Sequence, residues 1–263
     1  MSILSNKLKL FKPSLTVKIS QKARELTNLG KNIISLSSGE PDFDTPNHIK
    51  NAAISAINDG ITKYTAVDGL IELKNSIKRK FKNENNLDYD VEQITVGAGG
   101  KHVIYNLFMS TLNKNDEVII PAPFWVSYPD IVSLCGGKSI ILDTEEETKF
   151  KISPQKLKEL INERTKWIIL NSPSNPTGAV YSKEELKEIS KILINFEQTW
   201  ILTDDIYEHL IYDNISFSNI LNVEPKLYDR VFIVNGVSKI IELGVYPSFN
   251  AAKYTKGLRA DPG

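Results

Sequence analysis

Six short runs of consecutive apolar residues constrain this chain more than any other feature. They are QITVGA (93–98), DEVIIPA (116–122), KSIILD (138–143), KWIILNS (166–172), WILTDD (200–205) and RVFIVNG (230–236). Each is apolar on successive residues rather than on alternate ones, as strands covered on both faces are. Helical patterns lie between several of them, including KHVIYNLFMSTL and SKEELKEISKILINF. The second opens with Ser182 and has Glu185 three residues on, the spacing of a capping box. Strands alternating with helices predict an α/β fold with a mostly parallel sheet and right-handed crossovers. In such sheets ligands bind at the carboxyl ends of the strands.

The first third of the chain reads differently. Leu15, Ile19, Ala23 and Leu26 have helical spacing, and a loop rich in Gly, Pro and Asp follows at LSSGEPDFDTP. HIKNAAISAINDG predicts a helix stopped by Gly60, and GLIELKNSIKRKFKNENN a second one. Composition excludes several classes. The 32 basic and 32 acidic residues balance and are mixed along the chain. That balance gives no reason to propose nucleic acid or an anionic membrane as partner. Cys135 is the only cysteine, so no intrachain disulfide or cysteine-rich metal site is available. No run approaches the roughly 20 apolar residues of a membrane span. The expectation is a reduced, cytoplasmic enzyme.

Four motifs fall at the predicted strand ends. Val96-Gly97-Ala98-Gly99-Gly100-Lys101 ends one strand and opens a helix. Glycines there let backbone N–H groups approach a phosphate, although a tight strand-to-helix turn has the same composition. Asn171-Ser172-Pro173-Ser174-Asn175-Pro176-Thr177-Gly178 is a loop stiffened by two prolines, which would hold the Asn175 amide beside a ligand. An ordinary strand-to-helix turn is the alternative. Thr203-Asp204-Asp205-Ile206-Tyr207-Glu208 puts acids at the end of a buried strand, where a carboxylate needs a partner. A protonated pyridine nitrogen would be one, with Tyr207 reaching the neighbouring ring oxygen. Helix capping is the rival role for Asp204 and the favoured one for Asp205. Finally, Asn235-Gly236-Val237-Ser238-Lys239 leaves a lysine at a core strand end. Partial burial favours the neutral amine that attacks an aldehyde, and a surface lysine snorkelling to solvent is the alternative.

These four pieces, in this order, resemble the class I aspartate aminotransferase group of fold-type I pyridoxal-phosphate (PLP) enzymes, most of all its bacterial aspartate/prephenate branch. The similarity covers about residues 1 to 239. It includes Gly39-Glu40-Pro41-Asp42-Phe43, Lys63-Tyr64-Thr65 and the segment from Pro121 through Trp125 to Pro129. The resemblance implies an N-terminal arm and small-domain part at 1–45, a PLP-binding large domain at 46–240 and a divergent tail at 241–263. It implies that Lys239 holds PLP covalently and shuttles a proton. Asp204 would pair with the pyridinium nitrogen, and Asn175 and Tyr207 would bond the ring oxygen. Trp125 would lie against the ring. Gly99, Gly100, Lys101 and Ser238 would cradle the phosphate, with Tyr64 reaching the phosphate of a second subunit in a homodimer. Gly39, Trp125, Asn175 and Lys12 would meet substrate, Lys12 being the position linked to prephenate.

The implied reaction is transamination between L-aspartate, with prephenate as a further substrate, and 2-oxoglutarate. An aromatic or alanine specificity, or a non-catalytic remnant, are the alternatives. A Rossmann dehydrogenase is disfavoured because no glycine fingerprint follows the first strand. The pattern breaks after Lys239. The family's phosphate-binding arginine lies eight residues past the lysine, where this chain has Pro247. The expectation is a chain cut short after the cofactor lysine, lacking the arginine that grips the substrate carboxylate.

Overall fold

The computed structural model describes residues 3–7, 15–37, 39, 43–239 and 247–251. Lys12 lies outside them. Among the described residues seven strands form one sheet: β1 (Ile94–Ala98), β2 (Glu117–Ala122), β3 (Lys138–Asp143), β4 (Thr165–Asn171), β5 (Trp200–Asp204), β6 (Val231–Gly236) and β7 (Pro247–Ala251). Their order across the sheet is β1-β7-β6-β5-β4-β2-β3. The ladders from β6 to β3 are parallel, and β7 runs antiparallel to both of its neighbours. The fold is therefore the α/β architecture with a mostly parallel sheet that the apolar runs predict. All six of those runs are strands. The seventh, PSFNA, was not anticipated.

Period-two alternation divides the strand side chains between two cores. Ile168, Ile201 and Ile233 face one side, and Trp167, Leu202 and Val234 the other. The first core is covered by α3 (Ile71–Asn85), α6 (Pro154–Leu160), α7 (Lys183–Leu193) and α8 (Ile220–Val223). The second is covered by α4 (Gly100–Thr111) and α5 (Ser127–Leu134). Strands buried on both faces explain why the sequence shows continuous rather than alternating apolar runs. At the start of α7 the capping box forms: Ser182 Oγ accepts from the Glu185 N–H, and Glu185 accepts from the Ser182 N–H at 2.7 Å. The two earlier helices, α1 (Leu15–Asn28) and α2 (Asn47–Asn58), form where helical spacing places them, and α2 buries no residue. Among the described residues no helix is long and apolar enough to cross a membrane.

Candidate active site

The carboxyl ends of β1, β4, β5 and β6 meet at one cleft of about 760 Å³. That volume lies within the roughly 300–1,000 Å³ typical of small-molecule sites. Ten sequence-selected residues line it: Gly39, Gly99, Gly100, Lys101, Trp125, Asn175, Asp204, Tyr207, Ser238 and Lys239. Positions 200 residues apart in sequence thus share one space. Tyr64 is not among them. It is fully exposed on the surface of the single chain.

At the end of β1 the backbone must turn sharply into α4. Gly99 does this with a φ of 86°, a left-handed value that side chains disfavour. A Cβ at Gly97 would come within 2.9 Å of Val103 Cγ2, so any larger residue would force the side chains of α4 to shift. The first N–H groups of α4, at Gly100 and Lys101, have no intrahelical acceptor and point toward the helix mouth. Ser238 lines the same cleft, and N–H groups at a helix start of this kind suit an anion. The Lys101 ammonium sits over the Trp125 ring, 5.2 Å from its centroid.

Asp204 ends β5 and is 6% exposed. Its Oδ2 accepts from the Tyr128 hydroxyl at 2.6 Å. Its Oδ1 is buried with no hydrogen-bond partner among the described residues. Burial pushes the carboxyl up to about 6, while Tyr128 and the Ile206 N–H pull the other way. An acceptor so placed needs a donor, preferably a cationic one. The protonated ring nitrogen of PLP fits that description, and the anion site at α4 suits its phosphate. The residues present therefore fit the cofactor.

Tyr128 stands edge-on to Trp125, with centroids 5.3 Å apart. It is not among the expected site residues, although it lies in the segment from Pro121 to Pro129. Asn171 was also passed over. Its Nδ2 donates to the Asp204 carbonyl, and its Oδ1 accepts from the Asn175 N–H, both at 2.8 Å. One amide thereby joins the proline loop to the end of β5. Beyond it, Asn175 Nδ2 reaches the Tyr207 hydroxyl at 3.4 Å. Burial and the Asp204 charge raise the Tyr207 phenol, and the Asn175 bond lowers it.

Asp205 corrects the capping expectation. No helix begins there; a turn follows, and the side chain is buried, with Oδ2 accepting from Asn219 Nδ2 at 2.5 Å. Burial and the nearby Glu208 charge push its carboxyl well up. Lys239 follows β6 in a half-buried turn, and its ammonium donates to the Gly39 carbonyl. This contact uses the Gly39 C=O and does not involve the N–H that would meet substrate. Pro247 opens β7 and pairs with Ala98, beside the glycine turn.

Residues 31–246 match the family Aminotransferase class I and II. The chain belongs to that family. The protein described as "Probable aspartate/prephenate aminotransferase" in Rhizobium leguminosarum bv. phaseoli is 54% identical over 239 residues, 91% of this chain. The aspartate/prephenate aminotransferase of Cereibacter sphaeroides is 53% identical over the same share. The chain spans 60% of the length of each. Among solved structures, the aspartate aminotransferase of Rhizobium meliloti superposes with a TM-score of 0.93 at 40% identity, covering 98% of this chain and 65% of that one. The Thermus thermophilus aspartate aminotransferase with maleate gives 0.92 at 37%, covering 98% and 67%. In this family the cofactor is PLP, which agrees with the donor that Asp204 lacks.

Proposed function

We propose that this aminotransferase-family chain carries the cofactor half of a PLP-dependent transaminase, moving an amino group between L-aspartate, with prephenate as a further substrate, and 2-oxoglutarate. The observation that carries the reading is the unpartnered, buried Oδ1 of Asp204 in the cleft that also holds Lys239. When bound, PLP supplies an electron sink for charge left on the substrate carbon. The chain's residues supply the rest. Lys239 provides the amine that holds the cofactor and carries a proton at the reacting carbon. Asp204, steadied by Tyr128, keeps a ring nitrogen protonated. Asn175 and Tyr207 bind the ring oxygen, and the α4 mouth with Ser238 binds phosphate. Trp125 covers the ring, and Gly39 with Trp125 and Asn175 meets the substrate.

The substrate assignment rests on the names of the two relatives and on Lys12. The working unit is proposed to be a cytoplasmic homodimer in which Tyr64, exposed here, reaches the second subunit's phosphate site. Residues 46–240 are proposed to form the cofactor domain and 1–45 an arm and part of a small domain.

The test compares the 263-residue chain with a chimaera carrying the Rhizobium leguminosarum sequence after Lys239. A coupled oxaloacetate assay with aspartate and 2-oxoglutarate should show turnover in the chimaera. In the short chain a missing anchor should cost several orders of magnitude. A chimaera that binds PLP yet turns over only aromatic or alanine donors would replace the specificity. One that takes up PLP with no turnover on any donor would leave only a non-catalytic remnant.

A further inference from the structure

One position past Tyr207 the segment carries a third buried acid, after Asp204 and Asp205. Glu208 is 7% exposed, and both of its carboxylate oxygens are occupied. Oε1 accepts from the Lys80 ammonium and from Asn235 Nδ2, and Oε2 accepts from Asn85 Nδ2 at 2.7 Å. Lys80 and Asn85 belong to α3, and Asn235 lies near the end of β6. None of these four residues lines the cleft. Burying this carboxylate carries a desolvation cost, and it also pushes up the neighbouring Asp205. Well-packed hydrocarbon would hold the same elements together without either effect.

What the carboxylate does that hydrocarbon would not is join two segments at fixed distance. Residues 204–208 carry Asp204 and Tyr207, and their backbone is pinned to β6 by the Asp205 N–H donating to the Val234 carbonyl. Asn235, four residues before Lys239, gives its amide N–H to Glu208 and uses its Oδ1 to accept the Gly236 N–H at 2.7 Å. One side chain thus clamps the turn of the ring partners, orients the amide that starts the lysine turn, and anchors both to α3.

We infer that Glu208 is a positioning residue that sets the place of Lys239 relative to the Asp204–Tyr207 pair. The inference rests on the cofactor reading for its purpose, but the clamp itself exists without cofactor. Glutamine at 208 leaves one acceptor oxygen where three donors converge and sets an NH2 against another donor. The bonds to Lys80, Asn235 and Asn85 cannot then all be kept, and the turn at 236–239 loosens while the sheet stays intact.

Glu208→Gln, Asn235→Ala and the double variant test this in the full chain. Hydrogen exchange of the cofactor-free protein should quicken about 10-fold at residues 236–239 in each single variant, with β4 unchanged. The double variant should be no faster than the faster single one, because both changes break one link. With PLP added, borohydride trapping followed by mass analysis should show Lys239 captured more slowly in Glu208→Gln by a similar factor. Unchanged exchange at 236–239, additive effects, or faster exchange throughout the sheet would each overturn the inference. Equal capture rates in wild type and Glu208→Gln would do the same. A wild-type chain that captures no PLP would instead sink the cofactor reading, and the exchange data would still decide the clamp. If Glu208→Gln does not fold, Asn235→Ala decides, since it leaves the Lys80–Glu208 pair in place.

Discussion

Asp204→Asn in the cofactor-free protein tests whether the site is built around a positive charge that a ligand must bring. The Asp204 carboxyl stands at about 6 against an ordinary 3.8, chiefly through burial. A raised carboxyl means that the folded chain holds the proton more tightly than the unfolded one. Stability from this group is therefore greatest below 3.8, falls as pH rises from there, and levels off above about 6. At about 1.4 kcal/mol per pH unit, the full loss is on the order of 3 kcal/mol. Roughly half of it, about 1.4 kcal/mol, accrues between pH 5 and pH 8. Asparagine keeps the shape and an acceptor for Tyr128, and carries no charge. Urea unfolding of both proteins at the two pH values reads the effect. The variant should be the more stable at pH 8, and its advantage there should exceed that at pH 5 by about 1.4 kcal/mol. Asp205 titrates in both proteins, and losing its charged neighbour shifts the result in the same direction. Saturating PLP should reverse the order, because only the native carboxylate gains a cationic partner. A variant less stable at pH 8, or a difference that does not change with pH, would refute the reasoning.

Lys239→Ala should abolish borohydride-trapped PLP in the family-length chimaera; trapping at another lysine would move the assignment. In the same chimaera, single-turnover kinetics should fall far more with Asp204→Asn than with Asp205→Asn, whose side chain is committed to Asn219. Asn175→Ala should raise the Tyr207 phenol further, read as a later absorbance transition in an alkaline titration, because it removes the bond that lowers it. Pro247→Arg should tighten PLP binding by about 10-fold or more in equilibrium dialysis, since a guanidinium beside the glycine turn adds charge-assisted bonds to phosphate; unchanged affinity would show that this position does not reach the cofactor.

The parts of the fold legible in sequence are those with a local signature. Six strands are apolar throughout because both faces are covered, and Ser182 with Glu185 announces its own cap. The candidate site positions share one cleft because strand ends in a parallel sheet converge. What escaped depends on partners far along the chain. Nothing near Tyr128 reveals that its hydroxyl meets a carboxylate 76 residues away. Asn171 looks like a loop residue until two segments meet at its amide. Asp205 carries the composition of a helix cap, yet the chain turns instead, and the acid is claimed by Asn219. PSFNA has a proline and two polar residues in five, and only the neighbouring strands make it β.

The place of β7 has a consequence for how the protein is made. Among the described residues β1 joins the sheet only through β7. Ala98 emerges from the ribosome 149 residues before its partner Pro247. At about 5–20 residues per second, that interval is roughly 7–30 s. During that time β2 to β6 are made in turn and can begin to assemble while β1 has no ladder to enter. The glycine turn at its end is then loosely held, even after Asp204 and Lys239 have been synthesised. Phosphate anchoring should therefore be the last part of the site to mature, and PLP added during synthesis should protect the ring-binding turn before it protects the β1–α4 junction.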